Sequence, residues 1–293
     1  MEQSIICNLD KFVTVNNISS HYGSALACFV ANSERLKAMK LPGGIPSFHN
    51  IIFVIEGCEH FRVNNRDVEL KANDLYVKTA YDPFDYKAGS EDAVSVHVLV
   101  EQSFSDELLA QNRNLAGNDY IDVLSSHPVF HLNGDQAKEM CDLLKHVQST
   151  IENPHLFRHD ILKYQMFIFQ LLFIELLSGV KSTTNGMSHK EKILKKFLYL
   201  ASTSFKKERH VQFYADKLSI SATYLSRVVK ELTGNTVYGF LASFLYNEIC
   251  SQLRTTERSI GEIAEDLGFK DQSALTNFFK VRSNMTPIDY RRG

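Results

Sequence analysis

Near the C-terminal end of the chain, two stretches hold polar side chains at helical spacing that suits hydrogen bonding to flat partners met edge-on. The first holds Ala222, Thr223, Ser226, Arg227 and Lys230, and the second holds Gln272, Ser273, Thr276, Asn277 and Lys280. An arginine can donate two hydrogen bonds to O6 and N7 of guanine, and a glutamine or asparagine amide matches N6 and N7 of adenine. Lysines and arginines such as Lys270, Lys280, Arg282, Arg291 and Arg292 suit phosphates, which supply affinity without sequence information. Each polar residue has an alternative use. Arg227 can clamp a phosphate or pair with Glu231, Gln272 can cap its helix, and Thr223 and Ser226 can be spectators.

Both stretches lie on the second helix of a predicted helix pair. Gln212 to Leu218 reads as a short helix, Ser219-Ile220-Ser221 as a turn, and Ala222 to Gly234 as a longer amphipathic helix. The order repeats with Ser259 to Phe269, Lys270-Asp271, and Gln272 to Lys280. Ala215 and Ala264 are small and face inward, which lets two helices cross closely at the steep angle of a helix-turn-helix. Leu225, Val228, Val229 and Leu232 anchor the first longer helix, and Leu275, Phe278 and Phe279 the second. The two units span about 210–233 and 259–283. Between them Val237 to Arg254 reads as a helix, which at 1.5 Å per residue reaches roughly 27 Å. That length can hold two helices about one DNA turn apart, ~34 Å.

Charge separates this part from the rest. Residues 188–293 carry 17 Lys and Arg against 11 Asp and Glu, net +6, whereas residues 1–187 carry 15 against 23, net −8. A basic half on an acidic half points to a polyanion partner for the basic half alone. The five cysteines (Cys7, Cys28, Cys58, Cys141, Cys250) are odd in number and show no Cys-x-x-Cys pair. Such usage fits a reducing cytoplasm better than a disulfide framework or a zinc site. Met1-Glu2-Gln3-Ser4 lacks a basic stretch with an apolar run behind it, so no secretory signal is expected. The apolar stretch Ile161 to Val180 is interrupted by Lys163, Gln165, Gln170 and Glu175, and reads as a buried helix rather than a membrane span.

From about residue 45 to 100 the pattern is one of short strands. Ile51 to Ile55 ends at Glu56-Gly57; Phe61-Arg62-Val63 and Val68-Glu69-Leu70 flank a hairpin tip at Asn64-Asn65; Val94 to Val98 alternates with period two. Many short strands between turns predict a small antiparallel barrel or double-sheet roll, and residues 1–44 read as a weaker version of the same. Asn133-Gly134-Asp135 caps a helix running to about Ile151, Asn153-Pro154 breaks it, and a second helix runs from about Leu156 to Leu177. This hairpin, 133–177, belongs with the strands in a domain covering 1–180. The small polar stretch 181–189 is the linker, and 190–293 is the helical domain.

At these residues the chain resembles the AraC/XylS family of bacterial transcription regulators, over roughly Lys190 to Arg292. The resemblance rests on Tyr224-Leu225-Ser226-Arg227 with Lys230 and Thr233-Gly234, then Ser259-Ile260, Ile263-Ala264 and Gly268-Phe269, and finally Phe279-Lys280, Met285-Thr286-Pro287 and Tyr290-Arg291. It departs from the family pattern at Leu245 and Ile249 in the linker helix, at Asn277 in place of a common arginine, and at Asn284 in place of a glycine. What the resemblance implies is an α+β, two-domain protein. Its N-terminal part would be a cupin-like antiparallel β-barrel with a helical hairpin, serving as a sensor and dimerisation domain. Its C-terminal part would be all-α, with two helix-turn-helix units joined by a linker helix.

The implied function is a ligand-responsive, cytoplasmic, sequence-specific regulator that reads two successive major-groove segments of a promoter or operator. Double-stranded DNA is then the partner, with RNA polymerase added for an activator, and no membrane. Phe48, His49, Phe53, Phe61, Tyr76 and Tyr86 are candidate lining for an effector, with Tyr81 and Phe84 nearby; plain core packing is their alternative. The competing reading is a cupin-type small-molecule enzyme carrying a DNA-targeting module. A metal site of that kind needs a His-x-His pair, which the chain lacks, so no metal, cofactor or catalytic residue is expected. The helix Leu156–Leu177 is apolar around most of its girth. It is expected either to seat a second copy of the chain or to be covered by residues 104–132 or by the DNA-binding domain.

Overall fold

The computed structural model describes residues 5–41, 44–63, 66–110, 129–178 and 188–292. In chain order the strands are β1 (Ile6–Cys7), β2 (His21–Tyr22), β3 (Leu26–Asn32), β4 (Ile45–Pro46), β5 (Phe48–Glu56), β6 (Cys58–Val63), β7 (Arg66–Lys71), β8 (Asp74–Lys78), β9 (Phe84–Gly89), β10 (Val94–Glu101) and β11 (Phe130–His131). The helices of the same order are α1 (Leu9–Val15), α2 (Ser33–Ala38), α3 (Gln102–Ala110), α4 (Gly134–Glu152), α5 (Arg158–Ser178), α6 (His189–Ser204), α7 (Val211–Lys217), α8 (Ala222–Thr233), α9 (Val237–Thr255), α10 (Ile260–Asp266), α11 (Gln272–Ser283) and α12 (Pro287–Arg292). They form two compact units. One gathers Asn8–Pro42 and Pro46–Gly186, and the other gathers Met1–Cys7, Gly43–Ile45 and Met187–Gly293. The linker predicted at 181–189 and the hairpin tip at Asn64-Asn65 fall mostly or wholly outside the described residues.

In the strand-rich unit, a six-stranded antiparallel sheet (β11-β8-β5-β10-β3-β2) faces a three-stranded one (β7-β6-β9). Among the described residues the ladder does not run continuously around the two, so the strands form a cupin-like double-sheet roll rather than a closed barrel. The large sheet is buried on both sides. Leu26, Cys28, Ile51, Phe53, Leu75, Val77, Val96 and Val98 share one core with Leu144, Val147, Leu162, Met166, Phe169 and Phe173 of the α4–α5 hairpin. The alternate residues of the same strands point the other way, toward β6 and β9.

Residues 1–44 supply β1, β2 and β3, as the weak strand pattern predicted, but also two short helices that it did not. Asn8 and Asn32 each accept a backbone N–H through their side chains, from Lys11 (3.1 Å) and Arg35 (2.9 Å), and so start α1 and α2. Further along, Asn133 and Gln136 form a reciprocal capping box at the start of α4. No helix among the described residues is long and apolar enough to cross a membrane.

The helical unit is an internal repeat. Ala215, Leu218, Ser219 and Ile220 recur 49 positions later as Ala264, Leu267, Gly268 and Phe269, and Leu225, Lys230, Gly234 and Thr236 recur 50 later as Leu275, Lys280, Asn284 and Thr286. The second turn is therefore one residue longer. Residues 5–7 belong to this unit: the Ile5 N–H donates to Ser243 Oγ (3.1 Å), and Asn247 Nδ2 donates to the Ile6 carbonyl (3.3 Å), both on α9.

Candidate nucleic-acid interface

Each helix-turn-helix is held by the same three devices. The short helix ends when one residue takes a left-handed conformation, Ser219 at φ +55° and Gly268 at φ +64°. The next N–H then reaches back to the inward alanine's carbonyl: Ile220 to Ala215 at 3.0 Å, Phe269 to Ala264 at 2.8 Å. The longer helix starts at a side-chain cap, Ser221 accepting from Tyr224 N–H (3.1 Å) and Asp271 from Ala274 N–H (2.8 Å). It ends at a second left-handed residue, Gly234 (φ +71°) or Asn284 (φ +60°). Asparagine stands in for glycine here because its short polar side chain tolerates this region.

These devices fix which side of each helix is exposed. Leu225, Val228 and Val229 are buried under α8, and Leu275 and Phe279 under α11. Leu232 was expected in the core but is 41% exposed, since the left-handed Gly234 ends the helix before another element covers it. Phe278, expected as an anchor, is only half-buried. It meets the Phe269 ring at 5.4 Å and carries the Arg282 guanidinium 4.1 Å above it.

On the other side Thr223, Ser226, Arg227 and Lys230 are exposed, as are Gln272, Ser273, Asn277 and Lys280; Ala222 and Thr276 are half-buried at the edge. The repeat places Thr223 with Ser273, Ser226 with Thr276, Arg227 with Asn277 and Lys230 with Lys280. Of the alternatives, two are resolved by geometry. Glu231 pairs with Lys190 at 2.6 Å, while the Arg227 guanidinium sits 5.1 Å above the Tyr224 ring. The cap of α11 is Asp271, which leaves Gln272 exposed beside it. Lys230 Nζ donates to the Gly234 carbonyl at 2.6 Å, so it closes its own helix in this structure.

The predicted effector lining divides by strand face. Phe48 and Tyr76 lie on the inner faces of β5 and β8; Phe61, Phe84 and Tyr86 form an aromatic group there, with Phe61 4.8 Å from Phe84 and 5.3 Å from Tyr86. Phe53 does not join them. It belongs to the core against the helical hairpin, and His49 shares its side of β5, where Nδ1 accepts from the Ala80 N–H (3.2 Å). Sequence reasoning missed the polar residues of the inner faces. Asn50 bonds His97 Nδ1 (3.2 Å), His97 Nε2 meets Ser95 Oγ (3.0 Å), and Ser95 Oγ donates to Glu59 Oε1 (2.8 Å). His97 stacks on Phe29 at 5.1 Å. Glu59 is fully buried, and its Oε2 has no hydrogen-bond partner among the described residues. No group of three metal-ligating side chains occurs among the described residues.

Burial pushes the Glu59 carboxyl up to about 7, against the smaller opposing effect of the Ser95 hydrogen bond. Burial, with the Arg35 charge behind it, holds His97 down to about 3, so the ring is neutral. Between pH 4.5 and about 7 the unfolded chain releases a Glu59 proton that the folded chain keeps, so this residue costs stability as pH rises. His97 acts oppositely between about 3 and 6.5, where the unfolded ring binds a proton the folded one refuses. Glu59→Gln isolates the first effect. Relative to the unaltered chain, it is expected to gain about 2–3 kcal/mol between about pH 4 and about pH 8. Urea denaturation at the two pH values measures this, and a difference that does not change with pH would mean the carboxyl is hydrated.

A family model described as a helix-turn-helix domain matches residues 214–293. The HTH-type transcriptional activator RhaS of Salmonella paratyphi A is 22% identical over 267 residues, covering 90% of this chain and 92% of RhaS. The regulatory protein SoxS of Escherichia coli K12 is 30% identical over 105 residues, which cover 36% of this chain and 97% of SoxS. Among solved structures, Vibrio cholerae ToxT with an unsaturated fatty acid bound aligns over 92% of this chain and 96% of its own, at 15% identity and a TM-score of 0.46.

Proposed function

The chain belongs to the AraC/XylS family of bacterial transcription regulators, and we propose that it reads double-stranded DNA with the two exposed polar helix faces, one from each helix-turn-helix. It is a DNA-binding transcription regulator. The observation that carries the assignment of residues is the repeat. Two helices built on the same caps and the same buried positions leave the same four outward positions to polar side chains. Arg227, Gln272 and Asn277 suit base edges; Thr223, Ser226, Ser273 and Thr276 suit short contacts; Lys280 suits phosphate. Selection of random duplexes by the full-length chain at moderate salt tests the reading. Enrichment of a site with two contacted segments is expected, and recovery of random sequence would defeat it. Stoichiometric iron, zinc or manganese in the purified protein would instead favour the enzymatic alternative.

The inner face of the strand-rich unit is the proposed effector site. A buried carboxyl oxygen with no partner among the described residues is an open hydrogen-bonding position, a donor when protonated and an acceptor when ionised, and Phe61, Phe84 and Tyr86 offer apolar surface on the same face. Native mass spectrometry of the purified protein, expected to reveal one bound small molecule that is lost in Glu59→Gln, checks this. Acting as an activator, as RhaS is named, would add RNA polymerase as a partner.

A second copy of the chain is proposed to cover α5. Its inner side buries Leu162, Met166, Phe169, Phe173 and Leu177, while Tyr164, Ile168 and Leu171 stand exposed along it, and Phe157, exposed in the turn just before the helix, lies seven residues ahead of Tyr164. A seven-residue apolar repeat is the pattern of a helix–helix seam. Burying each such side chain contributes about 1.5–3 kcal/mol, enough for a few to sustain a two-fold contact. Sedimentation at micromolar concentration should show a dimer that Ile168→Glu with Leu171→Glu turns into a monomer. An unaltered chain that sediments as a monomer would refute it.

A further inference from the structure

The six residues between α6 and α7 touch the linker helix α9 and both helix-turn-helix units. Phe205 stacks on Phe244 of α9 at 5.8 Å, and Lys206 Nζ donates to Glu248 Oε1 on the same helix at 2.6 Å. The Glu208 carbonyl accepts from the Tyr214 hydroxyl in the first helix-turn-helix at 2.7 Å. Arg209 crosses to the second: its Nη2 donates to the Leu267 carbonyl, and its guanidinium lies 5.0 Å above the Phe269 ring. A β-carbon on Gly268 would sit 3.5 Å from the Lys206 carbonyl and 3.6 Å from Arg209 Nη2, so the strap lies directly on the second turn. A polar chain runs alongside, since Gln252 Nε2 donates both to Glu248 Oε1 (2.9 Å) and to Asp266 Oδ2 of α10 (2.8 Å).

Leu267 is the C-cap of α10, and the carbonyls at a helix's end lack partners within the helix. Arg209 therefore grips the second unit at a point that the unit cannot satisfy alone. The planar guanidinium also fixes direction, because it must donate in its plane and stack on Phe269 through its face. A side chain on the segment tied to the first helix-turn-helix through Glu208 and Tyr214 thus constrains the rotation of the second about α9.

We propose that Arg209 is a positioning residue that fixes the angle between the two recognition helices, and thereby sets the base-pair spacing the protein accepts between the segments it reads. This rests on the reading that both polar faces engage one duplex. Spacing is a geometric property of such a pair: each added base pair shifts the second segment by roughly 3.4 Å and about a tenth of a turn.

The test uses the full-length chain and the duplex it selects from a random pool, with each contacted segment mapped by hydroxyl-radical protection. One base pair is then inserted or removed between the protected segments. The unaltered chain is expected to lose about tenfold or more in affinity for either change, and Arg209→Ala to lose less than about threefold relative to its own best site. Phe269→Leu, which removes the ring but keeps an apolar side chain, should relax spacing in the same direction. It carries the test if Arg209→Ala does not fold. Arg209→Lys keeps the charge but not the plane, and is expected to bind with the unaltered salt dependence while still tolerating the changed spacing. Spacing ratios equal to those of the unaltered chain in all three variants would overturn the proposal. A single protected segment with the unaltered chain would overturn the two-segment reading itself, which separates the two failures.

Discussion

Replacing Arg227 with alanine is expected to cost about 1–3 kcal/mol of discrimination at one base pair while leaving the rest of the preferred sequence intact. In affinity this is about fivefold to 150-fold for the best base, with much less lost for the others. The side chain is exposed, and its nearest acidic neighbour, Glu231, is engaged by Lys190. Stacking on Tyr224 restricts the guanidinium without using its N–H donors, so little ordering is left to be done on binding. Lys280→Ala provides the contrast, weakening all sequences alike and lowering the salt slope by about 1. Competition binding against the four single-base variants, at two salt concentrations, separates these behaviours. If Arg227→Ala weakens all four bases equally, the residue holds phosphate.

Gly57→Ala should be among the most damaging single-methyl additions in the strand-rich unit, at about 2–5 kcal/mol. The estimate combines about 1–2 for a side chain in the left-handed region with about 1–3 for overpacking. Gly57 joins β5 to β6, the step from the large sheet to the small one, at φ +72°. A β-carbon there would come within 2.7 Å of Ala93 Cα and 2.8 Å of Ala93 N, both backbone atoms, as well as meeting Ser90 Oγ. The neighbours cannot easily withdraw, because the Cys58 N–H donates to Ser90 Oγ and the Ser90 N–H to the Cys58 carbonyl, both at 2.9 Å. A fall in Tm on the order of 10 °C is expected. A fall of only a degree or two would mean that the 90–93 turn moves aside.

The helical unit was legible in the sequence because its signals are local. Inward Ala215 and Ala264, the Gly268-Phe269 turn and the apolar spacing of Leu225, Val228 and Val229 all lie within a few residues of the helix they shape. α1 and α2 were not legible, since helices of seven and six residues are too short to establish a period and only Asn8 and Asn32 mark them. The face of Phe53 could not be read because β5 is buried on both sides, and a strand without alternation does not say which residues point which way. The Asn50–His97–Ser95–Glu59 chain and the Arg209 strap exist only after distant segments meet. Neither leaves a pattern along the chain.

The one-to-one match of outward positions has a consequence for how this protein can diversify. What recurs between the halves is the framework: the inward alanine, the left-handed residues, Leu225 with Leu275, Thr236 with Thr286. What differs is the lettering, most plainly Arg227 against Asn277, a guanine-type donor pair against an adenine-type amide. On the proposed reading, mutations that rewrite one word of the recognised sequence fall mostly on solvated positions and leave both cores untouched. On the same reading, divergence at three of the four outward positions, with lysine kept at the fourth, suffices to give a bipartite address, each half free to change without the other.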